Sequence, residues 1–310
     1  MTAIDGELAI GGAGREARPA PETPLRRFLS DFLDSRVAGA AFLVLCLVVL
    51  VAAFAPWLAP QDPYDLAQVD ILDGGRPPGD RSMAGYTFLL GSDGAGRDLL
   101  SAILYGLRIS ISVGIMSGLI AMAIGMAVGL FASYAGGRTE ALIMRVVDLQ
   151  LSFPAILIGL MLVAVLGKGV DKIMVALVAV QWAYYARTVR GTALVEMRKE
   201  YVEAATCLGL GHARIMFRHV LPNCLPPLIV VVTVQTAHAV ALEATLSFLG
   251  VGLPQTEPSL GLLIANGFHY MLSGKYWISF FPGVALLLTI VSINLVGDQL
   301  RDVLNPRLRR

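Results

Sequence analysis

From Ile109 to Ser133 the chain carries no charged side chain. At about 1.5 Å per helical residue such a run matches the roughly 30 Å hydrocarbon core of a bilayer. Lipid offers no partner for backbone N–H and C=O groups, so only a helix or a closed barrel can cross it. Further apolar stretches lie at about 37–58, 141–166, 173–188, 225–249 and 278–300. The chain therefore reads as an all-α membrane protein with six transmembrane helices. With 15% charged residues it falls well below a soluble domain, where about a quarter are charged. A net charge of +1 leaves no face to neutralise many phosphates, so no nucleic-acid partner is expected.

Details within the spans sharpen this reading. Ala53-Phe54-Ala55 imitates a signal-peptidase site. The preceding apolar run is longer than the about 7 to 15 residues of a signal peptide, however, and retention is expected. Gly114, Gly118, Gly125 and Gly129 form two pairs spaced by four, either a surface for close helix packing or chance in a glycine-rich helix. Pro154 should kink the third span. A short amphipathic helix near Asp98–Leu107 is expected on the membrane surface, and Phe268, Tyr270, Tyr276 and Trp277 should form an interfacial cap. Residues 1–36 form a polar tail, expected to be disordered as far as Leu25. Six alternating passes put 17 of the 24 Lys and Arg residues on one side and 7 on the other. The positive-inside rule then places both termini in the cytoplasm.

One polar island, residues 196–222, interrupts the apolar pattern on that basic side. Val202, Ala205 and Leu208 recur on one face of a short helix; Ala213, Met216, Phe217 and Val220 follow i, i+3, i+4, i+7 on a second. Gly209 and Gly211 separate them, and Pro222 should stop the second helix before the next span. The pattern fits a docking pair of helices and also fits an ordinary basic loop.

Glu203-Ala204-Ala205, Gly209, Ile215 and Leu221-Pro222 resemble the EAA loop of permease subunits in binding-protein-dependent ABC importers. Gly91-Ser92-Asp93, Gly96-Arg97-Asp98, Tyr105-Gly106, Ser152-Phe153-Pro154, Arg218-His219, Leu246-Ser247-Phe248-Leu249-Gly250, Gly297-Asp298 and Arg301-Asp302 resemble its dipeptide, oligopeptide and nickel branch. The similarity runs from about Val37 to Pro306. It implies a type I ABC importer permease (MetI-like) core with an added N-terminal helix. The corresponding divisions are a tail (1–36), a first span with an outer loop and interfacial helix (37–107), a five-helix core (108–302) and a C-terminal tail (303–310).

The resemblance further implies that Glu200, Glu203, Ala204, Ala205, Gly209, Ile215, Arg218, Leu221 and Pro222 couple the chain to an ATPase. The implied partners are a second homologous permease in a heterodimer, two ATP-binding subunits and an extracytoplasmic solute-binding protein, all at the cell inner (cytoplasmic) membrane. The implied cargo is a di- or oligopeptide, with nickel chelates, glutathione or opines as alternatives.

The chain itself has no G-x-x-x-x-G-K-[ST] phosphate loop, so no cofactor is expected in it and its energy must come from a partner or an ion gradient; the resemblance implies ATP and Mg on partner ATPase subunits. His212, His219, His238 and His269 are dispersed, and Cys46, Cys207 and Cys224 form no metal or disulfide pattern. No catalytic residue and no metal site is expected. A charge at mid-bilayer costs about 2.5 to 3.5 kcal/mol, so polar residues within spans should face protein or a wet cavity. Gln150, Gln235, His238, Glu243 and Asn294 are therefore candidates for a translocation path, or equally for packing hydrogen bonds between helices. Asp148 and Asp298 should pair with Arg145 or Arg301. A proton-coupled secondary transporter would instead require an obligatory acid such as Glu243, and a membrane scaffold would need no path.

Overall fold

The structure, a computed structural model, describes residues 30–63, 65, 67–257 and 259–304. The leader expected to be disordered as far as Leu25 lies outside them. Helix α1 spans Arg36–Ala53 and begins where the Ser35 hydroxyl accepts the Ala38 N–H, 3.3 Å away; the short α2, Ala55–Leu58, follows. After a long loop come α3 (Leu99–Ala135), α4 (Gly137–Ser152), α5 (Ala155–Leu166) and α6 (Val170–Glu196). The island forms α7 (Glu200–Cys207) and α8 (His212–Ile215), and α9 (Leu221–Phe248), α10 (Leu260–Phe268) and α11 (Trp277–Leu304) complete the chain.

Among the described residues, four helices are long and apolar enough to cross a membrane, or five if the bent pair α4–α5 counts as one span. The expected span at 173–188 is the middle of α6, whose mixed composition has a packing reason. Helix α6 is surrounded by α3, α4, α5 and α9, and Ile173, Leu177, Tyr185 and Val189 on it are buried. Protein, not lipid, solvates much of its surface.

The glycine pairs on α3 are seats for two different helices. A Cβ at Gly125 or Gly129 would collide with the Trp182 or Ala186 carbonyl of α6, and one at Gly114 would press within 2.7 Å of Val240 on α9. Close backbone approach therefore fixes α3 against both neighbours.

One local expectation holds in a stronger form and two need correction. Pro154 does more than kink its span: α4 and α5 diverge by 90°. The residue before a proline is driven out of the α region, and Phe153 is extended with ψ 141°. The separate interfacial helix at 98–107 does not exist, and the division at 107/108 falls inside one helix. Asp98 caps α3 by accepting the Ser101 N–H at 2.8 Å, Leu99, Ala102 and Leu104 are buried, and no Gly–Pro stop separates these turns from Ile109. Pro222 does not end a helix either. His212–Phe248 is one continuous element, in which a π turn at Met216–Val220, marked by the Leu221 N–H bonding the Met216 carbonyl, precedes the proline. A widened turn shifts the hydrogen-bond register just before a residue that cannot donate.

Side-chain contacts divide the molecule into two ends. At one, Gln299 Nε2 donates to the Asp31 carbonyl at 3.2 Å, Phe32 clusters with Val303, and Tyr134 meets His212 edge-on. At the other, Trp277 Nε1 reaches the Ser92 carbonyl, and Gly106 packs against Leu260. Only part of the expected aromatic cap faces outward. Phe268 and Tyr276 are exposed, whereas Tyr270 and Trp277 close over Gly94 and Gly91 of the outer loop.

Candidate functional site

The island is held from below and open above. Val202, Ala205, Ile215, Met216 and Val220 are buried in one cluster with Leu130 of α3 and Tyr185, Val189 and Ala193 of α6. These apolar pegs join the island to the two central helices. Glu200, Glu203, Ala204, Gly209, Arg218 and Pro222 are exposed, Leu221 is half-buried, and Ala205 and Ile215 are enclosed. The proposed coupling set thus divides into an outward face and the residues that anchor it.

The apolar stripes are only partly inward. Leu208 is 80% exposed and Phe217 65% exposed, and Ala213 also faces out. Helix α7 ends at Cys207, so Leu208 has left the helical register, and the π turn rotates Phe217 away from Met216. Gly209 has φ +72°, a left-handed conformation that glycine adopts without a Cβ penalty, whereas Gly211 has ordinary φ −61°. The Leu210 N–H bonds the Ala205 carbonyl at 3.2 Å and the Gly209 N–H bonds the Thr206 carbonyl at 2.9 Å. This paired arrangement ends α7 in a Schellman turn.

Glu196, at the last turn of α6, accepts from Lys199 Nζ at 2.6 Å and from the Tyr201 hydroxyl at 2.7 Å. Burial acts to raise its carboxyl pKa, but these two donors outweigh that and hold it below the ordinary carboxylate range. Burial, together with the neighbouring Glu196 charge, pushes the Tyr201 phenol up to about 12, so it remains a donor at neutral pH. Asn223 Nδ2 contacts the Tyr201 oxygen at 3.2 Å and the His219 carbonyl at 2.7 Å. Sequence alone assigns no site role to Glu196, Tyr201 or Asn223.

Above this network a cleft of about 970 Å³ runs between α6, α9 and α11. Tyr184, Arg187, Thr188 and Thr192 line it from α6, Gln235 and His238 from α9, and Asp298 and Arg301 from α11. A smaller recess of about 280 Å³ continues past Gln235 and His238 to Thr245. The polar stripe at 184, 187, 188 and 192 follows helical spacing and was the available sequence signal for the wall.

Of the five path candidates, the structure brings Gln235 and His238 to the cleft. Gln150 instead donates to the Ala179 carbonyl at 2.9 Å, joining α4 to α6. Glu243 is 0% exposed and accepts from the Ser110 and Ser247 hydroxyls, each at 2.8 Å. A buried carboxyl without such donors would be costly, and this enclosure keeps it out of the cleft. Asn294 is half-buried on α11, outside the lining. Asp148 pairs with Arg187 across two helices, not with Arg145, and Glu140 pairs with Arg190 nearby. Among the described residues no group of three His, Cys, Asp or Glu side chains could hold a metal ion.

The outer loop uses its polar motif differently. Asp93 accepts Arg97 Nε at 2.7 Å, and Arg97 Nη1 donates to the Gln255 carbonyl at 3.2 Å. Gln61 accepts the Asp98 N–H at 2.7 Å, while Asp98 also accepts the Ser101 hydroxyl at 2.6 Å. These bonds tie the first outer loop to α3 and to the loop before α10.

Residues 121–310 match the family model described as binding-protein-dependent transport system inner membrane component. Residues 23–78 match the N-terminal TM domain of oligopeptide transport permease C. The chain is 37% identical over 287 residues to a di/tripeptide transport system permease protein DppC of Pseudomonas aeruginosa, covering 93% of each. It is 38% identical over 292 residues to the dipeptide transport system permease protein DppC of Escherichia coli, covering 94% of this chain and 96% of that one. A putative peptide transport system permease protein of Brucella suis is 39% identical over 266 residues, 86% of each chain. An inward-facing conformation of the MetNI methionine ABC transporter superposes with a TM-score of 0.54 at 20% identity, covering 66% of this chain and 96% of its own. That likeness establishes a shared helical fold.

Proposed function

This chain belongs to the family of binding-protein-dependent transport system inner membrane components, the multi-pass permease subunits of ABC importers, and from that membership we propose that it carries di- or oligopeptides into the cytoplasm. The substrate class rests on the names of relatives that match along nearly their whole length. Family membership implies a separate ATPase and a binding protein as partners. Our finer reading is a heterodimer of permeases with two ATP-binding subunits.

The exposed face of α7 and α8 is assigned to the ATPase cleft, and the polar cleft between α6, α9 and α11 to one wall of the passage. Arg187, His238, Asp298 and Arg301 would be costly against lipid; a second permease covering them forms the opposite wall. Both termini and the island then lie in the cytoplasm. The excess of Lys and Arg on that side supports this, as does the grouping of Asp31, Gln299, Tyr134 and His212 at one end. ATP-driven approach of the two islands would move α3 and α6 through the buried pegs and alternate access to the passage.

The observation that carries this reading is the island's two-sidedness: apolar pegs below, exposed Glu200, Glu203 and Arg218 above. A proton-coupled mechanism finds no support in Glu243, which is enclosed away from the cleft. Reconstitution in liposomes with the second permease, ATPases and binding protein tests the reading. Peptide uptake should require ATP and the binding protein; uptake driven by a proton gradient without the ATPases would refute it.

A further inference from the structure

The backbone joint between the island and α9 is soft. A π turn spans Met216–Val220, and prolines at 222, 226 and 227 remove three ladder N–H groups within two turns. Any stiffness that carries motion from the island into α9 must come from side chains. Beside the apolar cluster that packs Cys224 and Leu228 of α9 with Val202 and Ala205, three polar side chains supply it, each from a different element. Glu196 ends α6, Tyr201 lies on α7, and Asn223 begins α9.

Their bonding is chemically matched. The Tyr201 hydroxyl has one proton, which goes to the Glu196 carboxylate at 2.7 Å in preference to the His219 carbonyl at 3.4 Å. Its oxygen is then free to accept from Asn223 Nδ2 at 3.2 Å, and the same amide holds the His219 carbonyl inside the soft joint at 2.7 Å. Glu196 and Asn223 also line the cleft. One network therefore touches the docking helix, the joint and the rim of the passage.

We propose that Glu196, Tyr201 and Asn223 form a side-chain clamp that converts displacement of the docking helix into movement of the cleft rim. This rests on the importer reading given above. The three are positioning residues, acting through α6 and α9 on the passage.

The test uses the whole reconstituted complex and reads peptide transported per ATP hydrolysed. Tyr201→Phe keeps the ring and removes the hydroxyl; it should lower that ratio at least fivefold, with ATP hydrolysis changed less than twofold. Asn223→Ala and Glu196→Leu should do the same. Glu196→Gln retains a carbonyl acceptor for Tyr201 and should stay within twofold of wild type. A merely structural network would lower uptake and hydrolysis together and leave the ratio unchanged, which would overturn the clamp.

A second measurement is independent of transport. Spin labels at Cys207 and Leu225→Cys, with Cys46 and Cys224 replaced by alanine, report the island-to-α9 distance in the assembled complex. A narrow distribution that broadens in Tyr201→Phe is expected; identical distributions would overturn the proposal. Failure of the wild-type complex to import with ATP, alongside a label distance that still broadens, would sink the importer reading and leave the clamp as a joint without that transport role, contradicting the proposal as stated.

Discussion

The outer loop and the inner island are both polar, but they treat their charges in opposite ways. In the outer loop Asp73, Asp93, Arg97 and Asp98 are buried, and each is answered from within the chain, Asp73 by the Ser82 hydroxyl at 2.7 Å and Asp93 by Arg97. Among the charged residues of the island Glu196 alone is buried, answered by Lys199 and Tyr201, whereas Glu200, Glu203, Arg214 and Arg218 are exposed. Buried charges must be paired to be tolerated, whereas exposed ones are left available for another molecule. The first region is finished architecture; the second leaves most of its charges open to solvent. A motif rich in charge therefore says little about role until its burial is known.

The largest expected effect breaks the outer region. Arg97→Ala leaves the buried Asp93 carboxylate with backbone N–H donors but no counter-charge and should cost about 3 to 5 kcal/mol, the range for removing one partner of a buried pair, seen as a collapse of thermal stability in detergent. Glu203→Lys on the island should leave stability within about 0.5 kcal/mol, as for other surface changes. ATP-driven uptake should nevertheless fall more than tenfold, because the reversed charge meets the partner. Equal stability losses in the two variants would erase the distinction between the regions. A smaller effect is expected from Gly209→Ala, where φ +72° imposes about 1 to 2 kcal/mol of left-handed strain, measurable as a lowered melting temperature with intact membrane insertion.

The smallest effect concerns pH. Glu196 has a folded-state pKa below the ordinary value, so its contribution is present above about 4.3, the unfolded carboxyl value, and is lost only as pH falls through the lower folded one. Transport per ATP should therefore be flat from pH 8 to pH 5. A decline centred near pH 6 would mean that a different group controls the network.

Much of the fold was legible because apolar length and glycine spacing are local signals. The glycine pairs on α3 announced close packing, and only the structure shows that Gly125 and Gly129 seat α6 while Gly114 seats α9. The island's sequence likewise gave away its helices and the glycine turn. Periodicity groups Leu208 with Val202 and Phe217 with Met216, yet the structure exposes Leu208 and Phe217, because a helix end and a π turn break the 3.6-residue repeat. The cleft was less readable. Gln235 and His238 were accessible as polar residues in an apolar span, but Glu243 shares that property and is enclosed by Ser110 of α3 and Ser247 one turn along its own helix. Which polar groups meet across helices is a tertiary fact. The same reason hid the Glu196–Tyr201–Asn223 network, whose members look unremarkable one at a time.

The most direct test of the central claim is site-specific photo-cross-linking in the assembled importer, with the reactive residue at Ala204 on the island or at Met83 on the outer loop. The account predicts that Ala204 captures the ATP-hydrolysing subunit and that Met83 does not. Capture of that subunit from Met83, or its absence from Ala204 in a complex that imports peptide, would contradict the account.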